Sequence, residues 1–329
     1  MDLETLIGAK LAVGFRGTAA SPELVAALRA VRAHSLVVFS RNFTSTAQFA
    51  RLLRELDAAL GTRLLVLVDH EGGRVIRFGA GVTRFPDALS VGKTQQPADV
   101  ERQGRVEARE LRQLGVHVNL APCVDVLEPG GDPVIGDRSY GGDPQRVSTL
   151  AVARIRGLQA GGVAACAKHF PGLGAVPRDP HQLLPTIALD RDALERRHLP
   201  PFAASIDAGV ALLMSSHVCY PGLGDASDLP ATFSPPLIRG LLRQRLRFPG
   251  LVLTDDLEMG ALRAFGGMGE LAVRATEAGH DLLLICSDLQ AAQEAAAALR
   301  QAYQTGRLNP AELEESASRL ALVKEKFLR

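Results

Sequence analysis

A grouping of ionisable residues, placed as a site would need, lies between Ala164 and Pro185. A short apolar run, Val163 to Ala167, leads into Lys168 and His169, and a Gly- and Pro-rich loop follows that carries Asp179 and His181. Ionisable side chains at the carboxyl end of a buried strand, ahead of a long loop, suit a site better than a core. In extended chain, residues i and i+2 point the same way, so Asp179 and His181 can share one side of the loop. A carboxylate beside an imidazole fixes its tautomer and raises its basicity, which is how proton-transferring histidines are held. Taken alone, Asp-x-His in a loop is more often a turn with a solvated histidine.

Other patches of the same kind recur. Asp69-His70-Glu71-Gly72-Gly73-Arg74-Val75-Ile76-Arg77 follows an apolar run, with paired glycines that allow a tight turn. Charges so close together can be a surface ion-pair cluster worth little, yet Asp69 directly ends the run. Arg138 offers a planar fork suited to adjacent hydroxyls, and a loop-tying role fits it equally well. Asp125 reads as a loop-structuring group and His217 as a packed histidine satisfied by backbone. Asp255 and Asp256 end another apolar run. On a strand adjacent residues face opposite ways, so at most one easily points to a common axis, and the other suits a helix N-cap ahead of Leu257 to Ala261.

The elements that must position these groups alternate regularly. Eight short apolar runs predict strands: Lys10 to Phe15, Ser35 to Phe39, Leu64 to Val68, Val116 to Leu120, Val163 to Ala167, Val210 to Met214, Gly250 to Leu253 and Asp281 to Ile285. Between them, amphipathic stretches such as Pro22 to Ala33, Thr46 to Leu60, Ala98 to Leu114 and Arg146 to Ala160 predict helices, and Ala291 to Ala302 and Pro310 to Phe327 close the chain. Continuous apolar strands alternating with helices point to a parallel sheet, and eight repeats point to an α/β chain closed as a single-domain (β/α)8 barrel. No G-x-G-x-x-G follows the first strand, which argues against an open dinucleotide-binding sheet. Active sites of such barrels sit at the carboxyl ends of the strands, where the unusual residues fall. Tyr220 to Pro236, rich in proline, reads as a surface loop over the barrel mouth.

Composition sets bounds. The 329 residues are 47% hydrophobic and 22% charged, with a net charge of +1. That balance is ordinary for a soluble globular chain and offers nothing to a nucleic acid or another polyanion. Cys123, Cys166, Cys219 and Cys286 lie in or just after apolar runs without metal-ligand spacing, so they read as buried free thiols. There is no basic-then-apolar leader and no stretch of membrane-spanning length, and a cytoplasmic location is the default expectation.

The whole string Lys-His-Phe-Pro-Gly-x-Gly-(x)4-Asp-x-His-(x)3-Pro, from Lys168 to Pro185, closely resembles the signature of glycoside hydrolase family 3, in its bacterial exo-β-N-acetylglucosaminidase branch. Asp-x-Glu-Gly-Gly-Arg-Val-x-Arg from Asp69, Gly-x-Arg-Ser-(aromatic)-Gly around Arg138, and Thr-Asp-Asp-Leu-x-Met around Asp255 are similar to the same family. The resemblance implies a retaining β-N-acetylhexosaminidase without a cofactor. Asp255 would be the nucleophile and His181, oriented by Asp179, the acid and then the base. Asp69, Arg77, Arg138, Lys168 and His169 would hold the terminal sugar. It further implies cytoplasmic recycling of cell-wall muropeptides, with N-acetylglucosamine removed from 1,6-anhydro-N-acetylmuramic acid, and a chain without the C-terminal domains of many family β-glucosidases. Two positions depart from the branch, which typically has His where Leu173 stands and Ser where Pro180 stands. A β-glucosidase, a phosphorylase with phosphate as acceptor, and a barrel that binds sugar without cleaving it are the other readings.

Overall fold

The structure, a computed structural model, describes residues 1–130, 134–175, 184–223 and 229–328. Eight parallel strands close into a barrel in chain order: β1 Leu11–Gly14, β2 Ser35–Val38, β3 Leu65–Val68, β4 Val118–Asn119, β5 Ala164–Phe170, β6 Leu212–Ser215, β7 Leu251–Asp256 and β8 Leu282–Ile285. β8 pairs back onto β1, with Leu11 opposite Leu283 and Val13 opposite Ile285. The strands have to be apolar throughout because each is covered on both faces, by barrel interior and by helices. β1, β2, β3 and β8 are buried at every residue.

Local chemistry sets the helix ends. Ser21 and Ser45 accept from Leu24 N and Gln48 N and start the helices Pro22–Ala30 and Thr46–Leu60, and the second stops at Gly61 in a left-handed conformation. Pro97, Pro144 and Pro310 sit in the first turn of their helices, where a missing N–H costs nothing. The helix expected to run to Ala33 stops at Ala30, because the chain turns back through Ala33 N–H to the Leu28 carbonyl.

Three differences from the sequence reading bear on the site. β5 runs on to Phe170, so Lys168 and His169 lie on the strand and not beyond it. Its register with β6 jumps from Lys168 opposite Met214 to Phe170 opposite Ser215, skipping one residue. Such a bulge breaks strict alternation, and Lys168 and His169 face the same cavity. Asp256 does not cap a helix: Leu257 to Met259 form a turn, and a 3-10 segment, Gly260–Phe265, follows. The described part of Tyr220 to Pro236 is largely buried, with Tyr220 and Ala231 fully enclosed, so it packs against the barrel.

Candidate active site

At the carboxyl ends of the strands lies a cavity of about 330 Å³, lined by Asp69, Glu71, Arg77, Arg138, Lys168, His169 and Asp255 together with Leu173, Met214 and Met259. Its size is at the lower end for small-ligand pockets, fitting one sugar ring more readily than a chain. Every proposed sugar-binding residue and Asp255 therefore meet in one place. Asp179 and His181, with Pro180 between them, lie outside the described residues.

The walls are built from a connected polar network. Lys168 is 1% exposed and directs Nζ to Asp69 Oδ1 at 2.6 Å and to Glu71 Oε1 at 2.7 Å. Glu71 also accepts from Arg138 in a two-pronged pair, Nε to Oε2 and Nη2 to Oε1, both at 2.8 Å. Planar guanidinium and carboxylate match in this geometry, which fixes the Arg138 orientation. Burial alone would raise the Glu71 carboxyl; the adjoining Arg138 and Lys168 outweigh it and hold the group well below its ordinary value. Burial likewise opposes a charged Lys168, and Asp69 and Glu71 overcome it and push the amine up. Arg77 Nη2 lies 3.6 Å from Asp69 Oδ2, and Arg77 Nε is buried without a partner among the described residues. A buried donor left open in a cavity wall is suited to a ligand oxygen.

His169 is gripped from behind. Its Nδ1 lies 2.7 Å from Asp125 Oδ2, and its backbone N–H also donates to that carboxylate. Its Nε2 lies 3.4 Å from Arg138 Nη2, so Asp125 on one nitrogen and Arg138 beside the other fix the ring in the cavity wall. Asp125 accepts from Leu173 N at 2.6 Å as well, so it both structures the loop and orients His169.

The turn that carries Asp69 to Arg77 depends on its glycines. Gly72 and Gly73 have φ of 100° and 54°, and a Cβ on Gly73 would lie 2.6 Å from Asp87 Cβ. The end of β3 is pinned through His70, whose N–H donates to Asn119 Oδ1 while Asn119 Nδ2 donates to the His70 carbonyl and to Glu107. Glu107 in turn forms a buried ion pair with Arg154.

Asp255 is the penultimate residue of β7 and faces the cavity. Burial alone would raise its carboxyl; His217, His169, the Asp256 N–H and Lys168 outweigh this and lower it. Asp256 turns away, accepting from Glu258 N at 3.1 Å and Cys286 N at 3.3 Å, and burial lifts its carboxyl to about 7. His217 is buried and hydrogen-bonded, as the sequence reading held, though one partner is the Thr232 hydroxyl.

Glu71 has no site role in the sequence reading, and the signal for one is its i, i+2 spacing from Asp69. Asp125 was set aside because nothing local shows that it lies behind His169. Among the described residues, one group has metal-ligand proximity: Cys123, Asp125 and His169 place donor atoms within 4.8 Å of one another. They are matched among themselves, since Cys123 Sγ donates to Asp125 Oδ2 at 3.2 Å. Burial pushes that thiol well above its ordinary range, so it is a protonated donor and a poor metal ligand.

Comparison with known proteins identifies the family. The chain is 41% identical over 270 residues to a beta-hexosaminidase of Thiobacillus denitrificans, covering 80% of this chain and 74% of that one. It superposes with a TM-score of 0.96 and 37% identity on a glycoside hydrolase family 3 beta-N-acetylglucosaminidase from a Paenibacillus species, covering all of this chain and 63% of the other. A beta-N-acetylhexosaminidase from Beutenbergia cavernae superposes with a TM-score of 0.90 and 31% identity, with 99% of each chain covered. Residues 7–323 match the glycosyl hydrolase family 3 N terminal domain, and the chain belongs to that family.

Proposed function

We propose that this chain is a retaining β-N-acetylhexosaminidase that releases a non-reducing terminal N-acetylglucosamine from β-linked glycosides. One observation carries the reading. Among the described residues, Asp255 is the cavity-lining carboxylate without a direct ion pair, whereas Asp69 and Glu71 are both tied to Lys168. A carboxylate that is ionised yet not clamped by a cation is free to attack.

The terminal sugar sits with its hydroxyls against Asp69, Arg77, Arg138, Lys168 and His169. Asp69 accepts from hydroxyls, and Arg77 Nε donates. Asp255 attacks the anomeric carbon from one face as His181 protonates the leaving oxygen, giving a covalent glycosyl-Asp255. His181 then takes a proton from water, which hydrolyses that ester. Asp179 stabilises the imidazolium of His181. The natural substrate in this reading is a cell-wall muropeptide, cleaved in the cytoplasm at N-acetylglucosamine linked to 1,6-anhydro-N-acetylmuramic acid. No helix among the described residues is long and apolar enough to cross a membrane.

The test is hydrolysis of p-nitrophenyl β-N-acetylglucosaminide beside the β-glucoside, with and without phosphate, by wild type, Asp255→Ala and His181→Ala. Cleavage of the first substrate only, nearly abolished in Asp255→Ala and lowered about 10²- to 10⁴-fold in His181→Ala, is expected. Preference for the glucoside, or release of a sugar phosphate, selects the β-glucosidase or phosphorylase reading. Binding without turnover selects the non-catalytic barrel.

A further inference from the structure

Behind Asp255 lies a buried chain of hydrogen bonds that the catalytic reading does not use. His217, just past β6, places Nε2 2.9 Å from the Asp256 carbonyl and Nδ1 2.6 Å from Thr232 Oγ1. Thr232 Oγ1 lies 3.0 Å from the Ser216 carbonyl. Ser216 Oγ meets the Tyr220 hydroxyl at 2.8 Å, and that hydroxyl donates to the Gly172 carbonyl at 3.0 Å. His217, Thr232, Ser216 and Tyr220 are all buried. The mount thus joins the base of the loop after β5 to the strand that delivers Asp255.

The hydrogens can be counted. A carbonyl only accepts, so Nε2 of His217 must carry a hydrogen to bond Asp256. Thr232 has one hydroxyl hydrogen, and the Ser216 carbonyl can only accept it. With that hydrogen spent on Ser216, the Thr232 oxygen can meet Nδ1 only as an acceptor, and Nδ1 must carry a hydrogen too. A neutral His217 would have to take the hydroxyl hydrogen and leave the Ser216 carbonyl without it, which is costly for a buried group.

We propose that His217 is a positioning residue for the nucleophile: doubly protonated between Thr232 and the Asp256 carbonyl, it sets the end of β7 and supplies a fixed positive charge beside Asp255. The assignment rests on the reading of Asp255 as nucleophile. Other charged groups share the neighbourhood. Asp69, Glu71 and Arg77 face the cavity from the turn after β3, Arg138 from the loop after β4, and Lys168 and His169 from β5. Among the described residues, Cys166 on β5, Asp256 and Glu258 around the end of β7, and Cys286 and His280 around β8 also lie nearby. Lys168 and Arg138 already share Asp69 and Glu71, so much of their charge is offset within the wall.

The experiment is the pH profile of kcat/KM for p-nitrophenyl β-N-acetylglucosaminide in wild type and His217→Gln, whose amide can still donate to Asp256 but bears no charge. The acid limb is expected to move up by about one pH unit, giving a rate about tenfold lower on that side and recovering as pH rises. A uniform loss at every pH, with the limb unmoved, overturns the assignment. Nitrogen-15 spectra of histidine-labelled wild type give a second readout, with the His217 signal identified by its loss in His217→Gln or His217→Asn. Both ring nitrogens are expected to be protonated at neutral pH, and a neutral ring overturns the proposal even where the Gln variant folds poorly. Turnover retained by Asp255→Ala would instead remove the reading of the nucleophile. An inert Asp255→Ala with an unmoved acid limb in His217→Gln removes the role of His217 alone.

Discussion

Replacing Glu71 by Gln removes one negative charge from between two cations while keeping the side chain's shape. Glu71 is 5% exposed at its side chain, and it holds Arg138 at 2.8 Å and Lys168 at 2.7 Å. Removing one partner of a buried ion pair typically costs ~3–5 kcal/mol. Two features place this case at the lower end, at about 3 kcal/mol. Gln retains one oxygen to accept from Arg138 or Lys168, and Lys168 keeps Asp69. Its new NH2, however, faces donors, so the two-pronged pair cannot re-form. At roughly 2 °C per kcal/mol for a chain of this length, the melting temperature should fall by about 6 °C. The sign with pH follows from the lowered carboxyl. A carboxyl held below its ordinary 4.5 stabilises the fold above that value and stops doing so as pH falls, so the stability gap between wild type and Glu71→Gln should be full at pH 7 and shrink below about pH 4. The kinetic expectation is a KM raised about tenfold, a loss of ~1.4 kcal/mol of binding as Arg138 and Lys168 drift, with a smaller change in kcat. Calorimetry at pH 7 and pH 3 with steady-state kinetics checks both. A variant with wild-type melting temperature and KM would refute the view that Glu71 organises the sugar-binding cations.

Asp256→Asn tests the opposite electrostatic case. Its carboxyl is lifted from 3.8 to about 7, so the wild type loses stability as pH rises through that window, and the Asn variant, which still accepts from Glu258 N and Cys286 N, should be more stable at pH 8 by on the order of 1–3 kcal/mol in urea denaturation. Equal stability at pH 8 would sink this. Gly174→Ala places a Cβ 1.9 Å from the Val126 carbonyl, which forces the chain apart just ahead of Asp179. A displacement near 1 Å in catalytic geometry can cost about 10²-fold, so kcat should fall by about that factor with KM little changed; a wild-type kcat would show that this approach does not position the loop.

The barrel was legible because eight apolar runs recur with helices between them, and the period of a buried parallel strand needs no tertiary knowledge. Boundaries were less so. β4 shrank to Val118–Asn119 and β5 lengthened to Phe170, since ladder partners and the bulge opposite Met214 and Ser215 decide where pairing ends. The candidate residues Asp69, Arg77, Arg138, Lys168, His169 and Asp255 were found from motifs at strand ends, and they converge on one cavity. What stayed hidden is pairwise and distant. Glu71 matters through Arg138, 67 residues away, and Asp125 through His169, 44 residues away. No local window contains both partners, and a lone acidic residue in a loop reads as solvated. His217 was placed as packed, but the demand that its ring donate at both nitrogens arises only once Thr232 and the Asp256 carbonyl are seen on either side.

The network also explains how a site can be densely charged and still suit a neutral sugar. Lys168 and Arg138 are matched within the wall by Asp69 and Glu71, and Glu107 with Arg154 holds the β3 end from below through Asn119. A neutral ligand gains little from net charge; it needs donors and acceptors fixed before it arrives, so that no reorganisation is due when charge develops at the anomeric carbon. Ion pairs buried in the wall serve that end, since their net stabilisation is small while their geometry is strict. Asp255 is held differently, by the N–H of Asp256 at 2.8 Å and by His217 acting through the neighbouring carbonyl. A direct cation on that carboxylate would blunt the attack, and a charge set one residue behind it keeps the group ionised without covering it.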